Sequence, residues 1–200
     1  MTKSFQFLFD FGGPNSYLAH KMLPDICART GAEAVYIPIS LGGLFKLTNN
    51  QAPFMRYAET PAKRTYEMLE FDRFVKTHAL PFKMNPRFPI NSLQLMRGAV
   101  AAQHLGCFAP YVGAVMAAMW EDGADMGDAQ IVATVLDAAG LDSAALLAKA
   151  EDPAVKAELI ANTEDAAKRG AFGVPTFYVG DDIYWGKERL GQLEIALTAS

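Results

Sequence analysis

The sequence holds only two cysteines, Cys27 and Cys107, far apart, with no CxxC pair and no zinc-ligand spacing. Both read as buried small hydrophobes in a reducing compartment. Its three histidines, His20, His78 and His104, are equally scattered, so no spacing makes them metal ligands. No apolar run approaches the roughly 20 residues that cross a bilayer, which excludes a membrane partner. The chain passes from Met-Thr-Lys-Ser straight into Phe5-Gln6-Phe7-Leu8-Phe9, without an apolar stretch followed by a small-residue cleavage site; the expectation is a cytoplasmic protein. Charge is scarce as well: 20% of residues are charged and the net charge is −4, with no basic stripe, which excludes the electrostatic footprint of a nucleic-acid binder. At 200 residues the chain suffices for one core, or for a small core domain with an insertion.

What is present is a change of hydrophobic period along the chain. Phe5, Phe7, Phe9 and Phe11 alternate with Gln6, Leu8 and Asp10, a period of two that predicts a strand. After Gly12-Gly13-Pro14 the period lengthens, with Leu18, Met22 and Ile26 at four-residue spacing, Pro14 in the first helical turn and Pro24 in the interior, until Thr30-Gly31 ends the run. A second strand is predicted over Ala34 to Ile39, with Pro38 marking an edge or the strand end. From about Pro61 to Arg169 only helical periods occur: Tyr66, Leu69 and Phe74, then Leu93 to Leu105, Pro110 to Trp120 and Ile131 to Ala139. Asn91, Asp128 and Asp152 are candidate caps there. Strand character returns at Pro175 to Val179, followed by a Gly180-Asp181-Asp182 turn and Ile183-Tyr184-Trp185, a hairpin. A last helix carries Leu190, Leu193 and Leu197 on one face. The chain thus reads βαβ, a long helical insertion, then ββα.

That order, with a proline just ahead of the third strand, resembles the thioredoxin arrangement, and the insertion resembles that of the periplasmic thiol-disulfide oxidoreductases. Their CxxC slot here reads Gly13-Pro14-Asn15-Ser16, which excludes dithiol exchange at this position. The run Phe9-Asp10-Phe11-Gly12-Gly13-Pro14-Asn15-Ser16-Tyr17-Leu18-Ala19 closely resembles the FDF-x-SP-x-SYLA run of the 2-hydroxychromene-2-carboxylate isomerases and of their relatives, the kappa-class glutathione transferases. Further matches are Leu41-Gly42-Gly43-Leu44-Phe45-Lys46, Pro61-Ala62-Lys63-Arg64, Phe88-Pro89-Ile90-Asn91, Phe172-Gly173-Val174-Pro175-Thr176 and Trp185-Gly186-Lys187-Glu188-Arg189. The resemblance implies an α/β thioredoxin-like fold, with residues 1–45 and 170–200 forming the thioredoxin-like domain and residues 46–169 an all-helical insertion. It also implies a homodimer.

It further implies glutathione as cofactor, at a site built from Gly13, Pro14, Val174, Pro175, Trp185, Gly186, Lys187 and Glu188. A helix N-terminus carries unpaired N–H groups and about half a positive charge, which favours a thiolate over a thiol; Gly13 to Ser16 lie at such a point. Val174-Pro175 is expected to be cis, with Val174 placed to pair with an extended peptide. The turn from Trp185 to Glu188 offers N–H groups and Lys187 to the γ-glutamyl carboxylate. In the family the first serine of SPxS contacts the sulfur and is the catalytic residue, and here that residue is Gly13. Gly13 and Ser16 therefore mark the catalytic slot, and Ser16 has two open roles: bonding within the first helical turn, or serving the sulfur.

On the substrate side, Lys46 matches the family lysine that faces an aromatic carboxylate, and Asn49, Asn50, Lys63 and Phe88 fall in pocket-lining segments. The implied activity is glutathione-dependent isomerisation of an unsaturated aromatic keto-carboxylate in aromatic catabolism. The alternatives are a kappa-like glutathione transferase or peroxidase, which consumes the thiol, and a non-catalytic glutathione-binding protein, which Gly13 would permit.

Overall fold

Phenylalanine at alternate positions gives the first strand one aromatic face, and Leu8 makes its opposite face apolar too, so this strand has to lie inside a sheet covered on both sides. In the computed structural model of the protein, which describes residues 3–199, β1 (Ser4–Phe9) does so. The sheet order is β2-β1-β3-β4, with β2 (Glu33–Pro38) parallel to β1, β3 (Thr176–Val179) antiparallel to β1, and β4 (Asp182–Trp185) antiparallel to β3. Phe7 pairs in register with Phe177, and their rings stack 5.3 Å apart. β2 is an edge strand and Pro38, which donates no backbone bond, sits at its end.

The aromatic face is covered by α1 (Pro14–Thr30) and by α10 (Leu190–Ala199), whose Leu190, Leu193 and Leu197 are all buried. The Leu8 face packs on Ile39, on Leu44 of α2 (Leu41–Leu47) and on Ala166 of α9 (Pro153–Lys168). Between α2 and α9 come α3 (Pro53–Arg56), α4 (Pro61–Thr77), α5 (Leu93–His104), α6 (Phe108–Ala117), α7 (Ala129–Ala138) and α8 (Ser143–Ala150). The phenylalanine core runs without a break from the sheet into α5, α6, α7 and α8.

Local chemistry accounts for the boundaries. Pro14 opens α1 and Gly31, at φ 69°, closes it. Asp128 and Asp152 cap α7 and α9 through their carboxylates, as does Asp142 for α8. Asn91 accepts from the Leu93 N–H at 3.1 Å, although the cap position itself falls on Ser92.

Several sequence expectations are corrected. The first strand stops at Phe9, so Asp10 and Phe11 leave the sheet, and the hairpin turn is Gly180-Asp181 because Asp182 pairs with Val179. Lys46 lies in the last turn of a short helix that the hydrophobic periods did not mark. Tyr66 and Leu69 of α4 are exposed, and Phe71 is the buried residue of that helix. Cys27 and Cys107 are both half-buried, at the rim of the core. The helix expected over Pro110 to Trp120 begins at Phe108 and widens into a π turn over Ala118–Asp122.

His20 of α1 sits edge-on to the Tyr36 ring, its Nδ1 2.8 Å from the Tyr36 hydroxyl. Burial pushes this imidazole down to about 4, with Lys21 adding to the shift and Glu121 opposing it. The unfolded chain binds a proton near pH 6.5 that the folded chain does not, so the His20 contribution to stability is complete above that pH and is lost as pH falls toward 4. We expect a lower thermal midpoint at about pH 5 than at about pH 7, with a smaller difference in His20→Gln; equal acid losses in both proteins would rule His20 out as the cause.

Candidate active site

Gly13 is the N-cap of α1, in extended conformation (φ −97°, ψ 106°), and its N–H donates to the Asp10 carbonyl at 3.0 Å. Nothing in that backbone geometry demands glycine, but the space is tight. A Cβ on residue 13 would come 3.0 Å from Cγ2 of Val174 and 3.1 Å from Oγ of Ser16. The fold thus brings together Gly13, Ser16 and Val174, the last from the far end of the chain. Ser16 is 0% exposed, and its hydroxyl has no hydrogen-bond partner; nor has the buried Oδ1 of Asn15. Of the two roles open to Ser16, bonding within the first turn is therefore not the one it takes.

The Val174-Pro175 peptide is cis, as expected, and Phe88-Pro89 is cis as well. Thr176 Oγ1 donates to the Gly173 carbonyl at 2.7 Å, and the Gly186 N–H donates to the Pro175 carbonyl at 2.9 Å. This second bond fixes the turn after β4 to the proline loop. The Trp185 indole, 43% exposed, packs on Phe172 at 4.8 Å and leaves room only for glycine at 173, where a Cβ would meet its Nε1 at 2.8 Å. Gly186, at φ 92°, takes a conformation that side-chain-bearing residues avoid.

Lys187 is not a solvated surface lysine. It is 5% exposed; its ammonium pairs with the Glu188 carboxylate and lies 5.2 Å from the Phe74 ring and 5.7 Å from the Phe71 ring of α4. Its charge is thereby engaged, and the donors that the turn has to offer are its backbone N–H groups. Residues 187–189 form a 3₁₀ turn ahead of α10.

The residues assigned to the substrate side have different surroundings. Asn50 turns toward the other half: its Nδ2 donates to the Phe172 carbonyl at 2.8 Å, and its buried Oδ1 has no partner. Phe88 is half-buried between Phe54 (5.5 Å) and Trp120 (6.0 Å). Lys63 is exposed, with its ammonium 3.9 Å from the Tyr57 ring centroid. Lys46 and Asn49 are exposed at the end of α2, Asn49 at φ 51°.

Sequence reasoning missed Asp10 as a site residue. It is 1% exposed and accepts from the Gly12 N–H (2.8 Å), from the Leu41 N–H (2.7 Å) and from the Ser92 hydroxyl. Burial raises its pKa, against the lowering effect of those three donors. The only signal in the sequence is an aspartate inside a phenylalanine run, one residue before a glycine turn. Nearby, the Tyr17 hydroxyl lies against the Pro81 carbonyl and Glu121 Oε1, and burial, reinforced by Glu121, pushes it upward. Among the described residues no group of three or more His, Cys, Asp or Glu could hold a metal ion, and no helix is long and apolar enough to cross a membrane.

Comparison with known proteins places this geometry. The DSBA-like thioredoxin domain family matches residues 5–198. The chain is 31% identical to the 2-hydroxychromene-2-carboxylate isomerase of Sphingobium xenophagum over 97% of both chains. Among solved structures it is similar to a 2-hydroxychromene-2-carboxylate isomerase with a TM-score of 0.85 and 28% identity, covering 98% of this chain and 95% of that one. A probable DsbA oxidoreductase from Streptomyces coelicolor, at 20% identity, shares the fold with a TM-score of 0.76 over 98% of this chain and 89% of its own. With no cysteine in the slot at the head of α1 and similarity that spans nearly the whole length, this chain belongs to the DSBA-like thioredoxin domain family, among the 2-hydroxychromene-2-carboxylate isomerases.

Proposed function

We propose that the protein is a glutathione-dependent isomerase of the 2-hydroxychromene-2-carboxylate type, acting on a small aromatic carboxylate. The observation that carries this reading is the buried Ser16 hydroxyl at the head of α1, which has no hydrogen-bond partner and lies 3.1 Å from where a Cβ on Gly13 would stand. A buried hydroxyl without a partner costs free energy unless a ligand supplies one, and a thiolate at the head of α1 would do so.

Glutathione, when bound, supplies a sulfur nucleophile able to add reversibly to a conjugated double bond, so that rotation about that bond becomes free. This chain's residues then have separate tasks. Ser16 and the first-turn N–H groups of α1 favour the ionised sulfur. The Val174 backbone, beside the cis proline, pairs with the peptide. Trp185 flanks the γ-glutamyl end, which the N–H groups of the turn over 186–188 receive, and Asn50 Oδ1 is an acceptor for a peptide N–H on the same side. Lys46 takes the substrate carboxylate, and Phe88 offers an aromatic wall. A cytoplasmic location, where glutathione is abundant, belongs to the same reading, as does a homodimer, which rests on the family resemblance.

Glutathione is expected to raise the thermal midpoint by several degrees at a hundred times its dissociation constant, since a ligand that binds only the native state adds about 2.7 kcal/mol there. Trp185→Ala should reduce that shift more than Lys46→Ala does. No shift at saturation would sink the glutathione assignment, and the reverse ranking would mean that the two half-sites are exchanged. Product analysis separates the alternatives: an isomerase returns glutathione unchanged, whereas a transferase or peroxidase consumes it.

A further inference from the structure

We propose that Asp10 is a positioning residue that clamps the thiol turn to the substrate-side helix, so that the spacing between the sulfur and the substrate carboxylate is set by one buried carboxyl group. The inference rests on the isomerase reading above and deepens it.

The carboxyl group bridges three segments that are remote in sequence. Oδ1 accepts from Gly12, next to the N-cap of α1; Oδ2 accepts from Leu41, the first residue of α2, whose last turn bears Lys46; and the Ser92 hydroxyl, at the N-cap of α5, completes the set. The packing around it is tight, because a Cβ on Gly12 would come 3.1 Å from Ser92 Oγ and 3.3 Å from Asp10 Oδ1. A plain packing role would be met more cheaply by an apolar residue: a carboxyl at 1% exposure carries a desolvation cost, and no cation is among its partners. What the carboxyl offers and an apolar side chain lacks is acceptor capacity toward several donors at once, with defined directions. Asparagine, of the same shape, would turn an NH₂ toward one of those donors. Reaction between two bound groups is sensitive to displacements well below their size, so loosening this clamp should act on the rate more than on cofactor affinity, which is anchored elsewhere, at Val174 and the 185–188 turn.

The test compares wild type, Asp10→Asn and Ser92→Ala with reduced glutathione and 2-hydroxychromene-2-carboxylate. Glutathione affinity is measured by calorimetry, turnover by absorbance, and Gly12 and Leu41 amide exchange by NMR. We expect Asp10→Asn to lower kcat roughly tenfold or more with glutathione affinity within about threefold, and Ser92→Ala to show the same split in weaker form. Gly12 and Leu41 exchange should quicken in Asp10→Asn. A folded Asp10→Asn with unchanged kcat overturns the proposal, as does one whose rate falls only in step with glutathione affinity. Should Asp10→Asn fail to fold, the split in Ser92→Ala decides: a drop in kcat at preserved affinity supports the clamp, and unchanged kinetics overturn it. If wild type neither binds glutathione nor turns over, the isomerase reading fails instead, and the exchange rates still decide the clamp, unchanged protection at both amides counting against it.

Discussion

Ser16→Ala is expected to slow glutathione-dependent isomerisation by roughly ten- to a hundredfold, because a hydrogen bond to a charged group contributes about 1.5–3 kcal/mol and each 1.36 kcal/mol is a factor of ten in rate. The glutathione peptide would remain held by Val174 and the turn after β4, so affinity should change far less than rate. The ultraviolet absorbance of bound thiolate at neutral pH should fall too, since losing a donor to the anion raises the thiol pKa. Gly13→Ser offers a control from the family pattern. The backbone at residue 13 accepts a side chain (φ −97°), and its Cβ would press on a Val174 methyl at 3.0 Å, a contact relieved by a shift of a few tenths of an ångström. Gly13→Ser in the Ser16→Ala background should therefore recover part of the rate by restoring a hydroxyl from the other side of the same space. A Ser16→Ala enzyme with unaltered rate and absorbance would assign thiolate stabilisation to the backbone of α1 alone.

Trp120→Ala carries the largest expected effect on stability, about 3–5 kcal/mol, the usual range for emptying a buried aromatic site. The indole is fully buried, stacks on Phe82 with ring centroids 6.0 Å apart, meets Phe88 at the same distance, and donates from Nε1 to the Phe11 carbonyl at 2.9 Å. Truncation opens a cavity and orphans that carbonyl, two residues before the N-cap of α1. At roughly 2–4 °C per kcal/mol for a domain of this size, the thermal midpoint should drop by about 10 °C. Trp120→Phe keeps a ring but loses the hydrogen bond, and should fall between wild type and Trp120→Ala. A loss of under about 1 kcal/mol in Trp120→Ala, measured by denaturant unfolding, would contradict this account of how the helical part is joined to the active-site loop.

The parts of the fold that were legible beforehand share one property: they are set by neighbours close in sequence. Alternation at Phe5, Phe7 and Phe9 marks a strand, Pro14 and Gly31 bracket a helix, and Asp128 and Asp152 cap their helices, whatever the rest of the chain does. The slot at Gly13 to Ser16 was legible for the same reason, since a glycine-proline turn after a strand starts a helix wherever it stands. The cis Val174-Pro175 bond was legible by resemblance.

By itself, then, the sequence determined the order of strands and helices, the absence of a cysteine pair at the head of α1 and the family resemblance. Only the tertiary structure decided what each polar side chain of the site faces. Asp10 takes its donors from positions 12, 41 and 92, Asn50 reaches the Phe172 carbonyl, and Lys187, expected to offer its ammonium to a ligand carboxylate, is buried against Phe71 and Phe74 with Glu188 as its partner. Ser16 could have bonded within its own helical turn; in the folded chain its buried hydroxyl has no partner, beside a turn that Val174, more than a hundred residues away in the chain, packs against. The physical reason is range. Periodicity and capping act over a few residues, whereas a buried hydrogen bond depends on which distant segments the packed core brings within about 3 Å, a distance that no local pattern encodes.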